Sequence, residues 1–460
     1  MAALAILFVM SQPAVTRRIY ASDEIEYFAF LRSLWFDHDL SFDNEYRYFY
    51  DRGVSHAAGF HETFLERASD TGRRVNFGTI GCALLWSPFY AMADILAGLT
   101  GRYARDGFSP PYVAAVCYAS AWYGFIAVVL SFLAALTVTG ARTGGTSVEL
   151  FAALAVWIGT PLLFYMYVAP PMSHATSAFT ASAFVLVWLR VRARWSPAGS
   201  ALLGGLAALM AMVREQDLLL IAGPILDFLV SLRARPRSGI GRAAVSMLAA
   251  ALTFAVVFLP QAVAYRILNG HFGPSQFVAR KMTWLAPHFA QVVASPEHGF
   301  FFWTPLAALS LAGLILLVLR DQRQIGACLL LMFALQVYIA GSVESWTVAG
   351  AFGQRRFVVL TPVLVIGLAA LVREGVATAA RLPILAACAV CIWWNIGLMA
   401  QFGTGLMDRQ RLELGRIAYN NFIVVPRSLP RLTYRYLFER HTFYHAPGST
   451  TRRQADTTSC

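Results

Sequence analysis

Lysine is all but absent from this chain, and charge of either sign is scarce. A single Lys, Lys281, stands against 36 Arg, and the four charged residue types together make up 13% of 460 residues. A soluble domain carries about 25% charge, so composition excludes an ordinary globule in water. Hydrophobic residues reach 58% and aromatics 13%, which excludes a disordered chain as well. Cysteine numbers only six. Cys82, Cys117, Cys328, Cys388 and Cys391 lie in apolar runs and Cys460 ends the chain, which excludes a disulfide-stapled secreted domain. The C-x-x-C spacing of Cys388 and Cys391 sits inside an apolar run without a second pair, so it has neither a zinc nor a redox context. Net charge is +12, yet no basic cluster is interleaved with aromatics as a nucleic-acid groove requires. Arginine here reads as membrane topology and contact with lipid headgroups.

Long apolar runs are abundant. They cover 2–15, 78–99, 112–138, 148–168, 173–189, 199–213, 217–232, 243–264, 303–319, 325–341, 357–372 and 382–400. Crossing the hydrocarbon takes about 20 helical residues. The pattern therefore predicts an all-α polytopic membrane protein with about 11 transmembrane helices over 1–400, followed by a basic amphipathic segment at 401–460. The run at 2–15 lacks a basic leader and a clear cleavage site, and reads as a short first span rather than a signal peptide.

Arginine orients the spans. The turns at 190–194, 233–242, 320–323 and 373–381 are the basic ones and are expected in the cytoplasm. Residues 199–232 lie between two such turns, so they cross twice. The break Arg214-Glu215-Gln216-Asp217 forms the tip of that hairpin and places Arg214 outside, with the loops 265–302 and 342–356. The first third admits two arrangements. Either 16–111 is one outer loop containing 78–99 as a juxtamembrane helix, or 78–99 is a true span and 16–77 lies inside. Arg17, Arg18 and the Arg-rich tail favour the second.

Of 25 acidic residues, 11 fall between 16 and 77. The stretch from Ser22 to Trp35 reads as an amphipathic helix lying at the interface. Ser22 is placed to cap it, and Phe28, Leu31 and Trp35 are placed toward lipid. Asp23 and Glu24 are either ordinary first-turn acids or a general base with its neighbour at a membrane–water boundary. Asp37-His38-Asp39 is either a divalent-cation site, with Asp37 and Asp39 as metal ligands, or a solvated turn. Gly78 and Gly81 permit close backbone approach, and Trp86 and Tyr90 suit an interfacial belt.

Further on, Pro170-Pro171-Met172-Ser173-His174 opens one helix, and the small residues 204–208 lead to Arg214. A short first span, an acidic outer loop opening on Asp23-Glu24, a loop-closing helix near 78–95 and these two segments together resemble the GT-C fold glycosyltransferases. The likeness is to the branch of the protein O-mannosyltransferases and lipid A aminoarabinose transferases, and it covers about 20–260. The resemblance implies transfer of a sugar, with inversion, from a polyprenyl-phosphate carrier to a hydroxyl at the extracytoplasmic face of a bacterial inner membrane. It implies Asp23 as base and Glu24 as its neighbour. It places Arg74 near a carrier-phosphate contact and His174 where many members have an acid. The acceptor class stays open among glycan, lipid and protein, and a divalent metal remains possible.

Two later loops add candidates. Arg280, Lys281 and His298 lie in a Gly/Pro-punctuated loop with Trp284, and either touch phosphate or sugar or anchor the interface. Arg355 and Arg356 begin an apolar span on the outer side against the usual charge bias, which marks an anion site or simple snorkelling. Arg214 has the same standing. A transporter or lipid flippase is the competing function. It would be expected to show paired repeats and mid-span ionisable residues, whereas here the acids gather in one loop. A structural subunit is the third reading.

Overall fold

The computed structural model describes residues 2–440 apart from 55–58, 141–145, 234–239, 321, 349 and 378–379. The middle of the basic turn at 233–242 and the tail beyond 440, with Tyr444 and Cys460, lie outside the described residues. Elsewhere the chain is helical, and the β pairing consists of two isolated bridges, Ala68 with Arg74 and Met282 with Val343. Apolar surroundings enforce this, because a helix satisfies its backbone polar groups internally.

The first part holds α1 (Ala2–Ser11), α2 (Ser22–Arg32), α3 (Asp43–Asp51), α4 (Gly81–Thr100) and α5 (Pro110–Thr139). Next come α6 (Ser147–Gly159), α7 (Leu162–Tyr167), α8 (His174–Val191), α9 (Pro197–Val213), α10 (Ala222–Arg233) and α11 (Ile240–Asn269). Short α12 (Gln276–Arg280), α13 (Phe289–Ala294) and α14 (Phe300–Trp303) precede α15 (Leu306–Leu319) and α16 (Arg323–Gly341). The chain closes with α17 (Thr361–Ala377), α18 (Arg381–Thr404), α19 (Leu414–Tyr419) and α20 (Val425–Phe438). Pro161 and Pro305 break two of the apolar runs, separating α6 from α7 and α14 from α15. Among the described residues, six helices are long and apolar enough to cross a membrane, and four shorter apolar helices accompany them.

The two ends of the bundle differ in chemistry. At one end Asp227 accepts hydrogen bonds from both Arg192 nitrogens at 2.9 and 2.8 Å, from the Trp188 indole at 2.9 Å and from Gln324 at 2.6 Å. Nearby turns add the pairs Arg373–Glu149 and Arg320–Glu374. The arginine-rich turns thus share one end, as their common charge suggests. At the other end Thr71 donates to the Leu268 carbonyl at 2.8 Å, Glu344 N–H to Lys281 at 2.8 Å, and Leu412 N–H to Pro296 at 2.8 Å. The Tyr436 hydroxyl donates to Ala14 at 2.9 Å. The first loop, the loops 265–302 and 342–356, and the tail therefore lie together.

Helix α4 is tied to its neighbours along its length. The Thr79 hydroxyl, just before it, donates to the Val213 carbonyl at 2.9 Å, and Tyr90 donates to the Gly107 carbonyl at 2.8 Å. Its Asp94 accepts from Tyr112, at the start of α5, at 2.6 Å. Helix α4 therefore packs antiparallel along α5, where the Tyr123 hydroxyl donates to the Leu85 carbonyl at 2.8 Å, and it is one of the six helices long and apolar enough to cross a membrane. Gly81 lets the start of α4 approach the end of α9 closely: a Cβ there would run into the backbone of Met212 and Val213.

The same packing corrects three expectations. Phe28 and Leu31 are buried, and together with Tyr46, Phe49, Trp86 and Tyr90 they form a core shared with residues of α5, α9 and α11 such as Val116, Val213 and Leu268. They do not face lipid, and Trp86 and Tyr90 do not form an interfacial belt, because the loop helices stack on one another and bury their own aromatic faces. Ser22 is not the cap of α2. The Glu24 carboxylate fills that role, accepting the Tyr20 and Ala21 N–H groups at 2.8 and 3.1 Å. The Gly81→Val variant is expected to lose about 1–3 kcal/mol of stability through overpacking. Thermal unfolding in detergent measures this, and an unchanged midpoint would contradict the close approach.

Candidate active site

A cavity of about 200 Å³ opens at the loop-bearing end, bounded by the start of α2, the segment around Phe77, the start of α8, the tip between α9 and α10, and the residues leading into α17. Asp23, His174, Arg214, Arg355 and Arg356 all line it. Five residues singled out from sequence, up to 333 positions apart, therefore meet in one place.

Each is held differently. Asp23 sits in the first turn of α2 and pairs with the Arg355 guanidinium at 2.8 Å, with its side chain 45% exposed to the cavity. Arg355 also reaches toward the Met172 sulfur. Arg356 is anchored by donating to the Ser345 carbonyl at 3.0 Å. Arg214 donates to His174 Nδ1 at 2.8 Å and to Gln216. A guanidinium has no acceptor, so His174 Nδ1 is unprotonated there and the imidazole is the partner of a cation. The His174 ring packs on Tyr165, whose hydroxyl donates to the Phe352 carbonyl at 3.0 Å.

The loop that delivers Arg355 and Arg356 is tightly built. Gln354 donates to the carbonyls of His298 and Trp346 at 3.2 and 2.9 Å. His298 contacts the Ala351 carbonyl at 3.1 Å and stacks on Trp303 at 4.8 Å between ring centres. Burial holds its imidazole below the ordinary histidine range. Gly353 has φ +64°, and a Cβ there would meet Pro161 at 2.8 Å. His298 is thus a brace for this loop rather than a wall of the cavity.

The remaining candidates lie elsewhere. Glu24 is buried behind Asp23 as the helix cap. Its second oxygen has no partner, and burial pushes its carboxyl up to about 8. Glu26, also buried, accepts the Phe77 N–H at 2.6 Å and is pushed up for the same reason, with Asp23 adding to the rise. Arg74 pairs with Asp43 at 2.8 Å, and Arg47 and Arg74 together hold that carboxyl below the usual range. Arg280 and Lys281 are exposed, and Lys281 stands over the Phe77 ring at 5.8 Å. Asp37 pairs with Arg32 and accepts from Asn44 at 2.7 Å, whereas Asp39 accepts from Ser33 and from the Ser41 N–H. Among the described residues no three His, Cys, Asp or Glu side chains gather where a metal would sit. One oxygen of each D-x-D carboxylate, Asp37 Oδ2 and Asp39 Oδ1, is engaged within the turn.

Tyr27, Thr79, Ser173, Glu215 and Gln216 also line the cavity. Tyr27 lies four residues after Asp23, on the same face of α2, a spacing that marks it once Asp23 is chosen. Glu215 and Gln216 adjoin Arg214 in the polar break. Met172 and Val278 carry no sequence signal.

The fold has a counterpart among solved structures. The crystal structure of ArnT from Cupriavidus metallidurans bound to undecaprenyl phosphate superposes with a TM-score of 0.54 over 96% of this chain and 74% of that chain, at 15% sequence identity. The chain has the GT-C fold of ArnT. No protein-family model matches it, and no curated protein matches it significantly. The similarity to ArnT is one of fold, reached with few shared residues.

The buried carboxyls give this fold a pH signature. Glu24 holds its proton to about pH 8 when folded, against 4.5 ordinarily. Between those values the folded state binds more protons than the unfolded one, so stability falls as pH rises. Thermal midpoints are expected to decline from pH 5 toward pH 8.5, and Glu24→Gln, which keeps an acceptor for the Tyr20 and Ala21 N–H groups, is expected to flatten the decline. An equal slope in the variant would contradict the assignment.

Proposed function

We propose that this protein is a membrane glycosyltransferase that takes a sugar from a polyprenyl-phosphate carrier and passes it to a hydroxyl acceptor. The reading is carried by one observation: on the ArnT fold, Asp23 and three arginines share a single cavity. ArnT itself was solved with undecaprenyl phosphate bound, and a carrier of that chemistry suits a cavity rich in guanidinium groups.

The chemistry divides between the two charges. Arg355 and Arg356, with Arg214 across the cavity, receive the carrier phosphate, since guanidinium matches phosphate oxygens in a bidentate fork. Asp23 takes the proton of the acceptor hydroxyl. That oxygen then bonds to the anomeric carbon on the face opposite the phosphate. The carbon–oxygen bond to phosphate breaks with its electron pair going to the leaving phosphate, so the configuration inverts. The arginines stabilise the negative charge that develops there. Glu24 shapes the start of α2 and thereby sets where Asp23 points. It is a positioning residue and not a second base, and Arg74 serves the loop rather than the phosphate.

The distribution of arginine supports an orientation. The basic turns at the opposite end belong in the cytoplasm by the positive-inside bias, which puts the cavity on the extracytoplasmic side.

Asp23→Asn is expected to lower transfer from glycosyl undecaprenyl phosphate by about 10²–10⁴-fold, the range for a lost general base. It should leave binding of undecaprenyl phosphate intact or tighter, since Arg355 is released from its partner. Arg355→Gln is expected to weaken carrier binding itself. Assays with native membranes as acceptor source and binding in nanodiscs separate the two effects. Full transfer by Asp23→Asn would remove the base assignment.

A further inference from the structure

Beside the main cavity lies a much smaller chamber of about 10 Å³, close to the space of one water-sized oxygen. Phe77, Glu215 and Val278 line both spaces, so the chamber is a side pocket sharing a wall with the site. Its back is formed by Gln261 and Tyr265, one helical turn apart on the same face of α11.

Both polar side chains are buried, and among the described residues each has one polar group without a partner. Gln261 is 1% exposed and Tyr265 6%. The Gln261 Oε1 accepts the Ile80 N–H at 2.9 Å, which fixes the amide and leaves its Nε2 without a partner. The Tyr265 hydroxyl has no partner either. Native folds seldom leave two such groups unsatisfied together, and each instance needs a reason. The chamber is also complementary to one kind of group. An amide N–H and a phenol O–H offer two hydrogens to an oxygen's lone pairs, and the Glu215 carboxylate on the shared wall offers an acceptor for that oxygen's own hydrogen. A neutral hydroxyl uses all three. An ammonium group would waste the donors, and an anion would be set against Glu215.

We propose that this chamber receives a single hydroxyl of the donor sugar, with Gln261 and Tyr265 as the residues that read it. The proposal rests on the glycosyltransferase reading above and makes that site selective for a sugar with a hydroxyl at one defined position. It also gives α11, whose outer face is turned away from the bundle, a functional inner face.

Binding to the full chain in nanodiscs tests it without needing the acceptor. The probes are undecaprenyl phosphate, the same carrier bearing a pentose or a hexose, and glycolipids lacking one sugar hydroxyl at a time. The wild type is expected to bind one deoxy analogue about tenfold or more weakly than its parent, as polar sites do when a partner is removed. Tyr265→Phe is expected to lose about the same factor on the parent and nothing further on that analogue. Gln261→Glu, which keeps the acceptor for Ile80, should behave alike. Bare undecaprenyl phosphate should bind all three proteins equally. Equal binding of every deoxy analogue by the wild type would mean that the chamber holds only water, and would overturn the proposal while leaving the carrier reading intact. Uniform weakening of all probes by both variants would show general damage and overturn it too. Failure of the wild type to bind any of these lipids would overturn the function itself, and the proposal with it.

Discussion

The pairing of Asp23 with Arg355 is the constraint on which the rest of this structure depends. It joins the first turn of a loop helix to the entry of a late span, and both residues line the cavity. Guanidinium groups are costly to bring near apolar surroundings. Three of them around one cavity are sustained by Asp23, by the His174 imidazole and by the Ser345 carbonyl. A cavity with more cationic than anionic groups attracts an anion.

The scaffold is arranged to hold this pair in place. Glu24 and Glu26 bury their carboxyls on either side of Asp23 and spend them on backbone N–H groups. The middle acid of Asp23-Glu24-x-Glu26 is thereby a fastener, and only the first is left to the cavity. On the far side, Gln354 and His298 fix the loop before Arg355. The opposite end of the bundle is held by the Asp227 cluster, which ties Trp188, Arg192 and Gln324 together.

Much of this was legible in the sequence. The apolar runs became helices, because length and hydropathy leave an apolar chain no other way to satisfy its backbone. Asp23, Arg214, Arg355 and Arg356 stood out as charges against the local pattern, and the structure brings all four together. The packing of α4 was not legible: arginine counting left the first third open between two arrangements, and the contact between Gly81 and the end of α9 is one that no local pattern encodes. The lipid-facing reading of Phe28 and Leu31 failed for a related reason. Amphipathicity shows that a helix has an apolar face, but not whether lipid or another helix covers it. Arg74 and the D-x-D pair stood out by residue type alone, and the structure shows their local partners, Asp43 for Arg74, Arg32 for Asp37 and Ser33 for Asp39, which no sequence pattern encodes. The small chamber was invisible because Gln261 and Tyr265 lie inside an apolar run whose polar residues carry no motif.

The central claim is that the carrier phosphate and Asp23 compete for the Arg355 guanidinium. A structure of the protein with undecaprenyl phosphate bound tests it most directly. The account predicts phosphate oxygens within hydrogen-bond reach of Arg355 and of Arg214 or Arg356, with the Asp23 carboxylate turned toward the cavity. A lipid phosphate seated away from these arginines, with the Asp23–Arg355 contact unchanged, would contradict it.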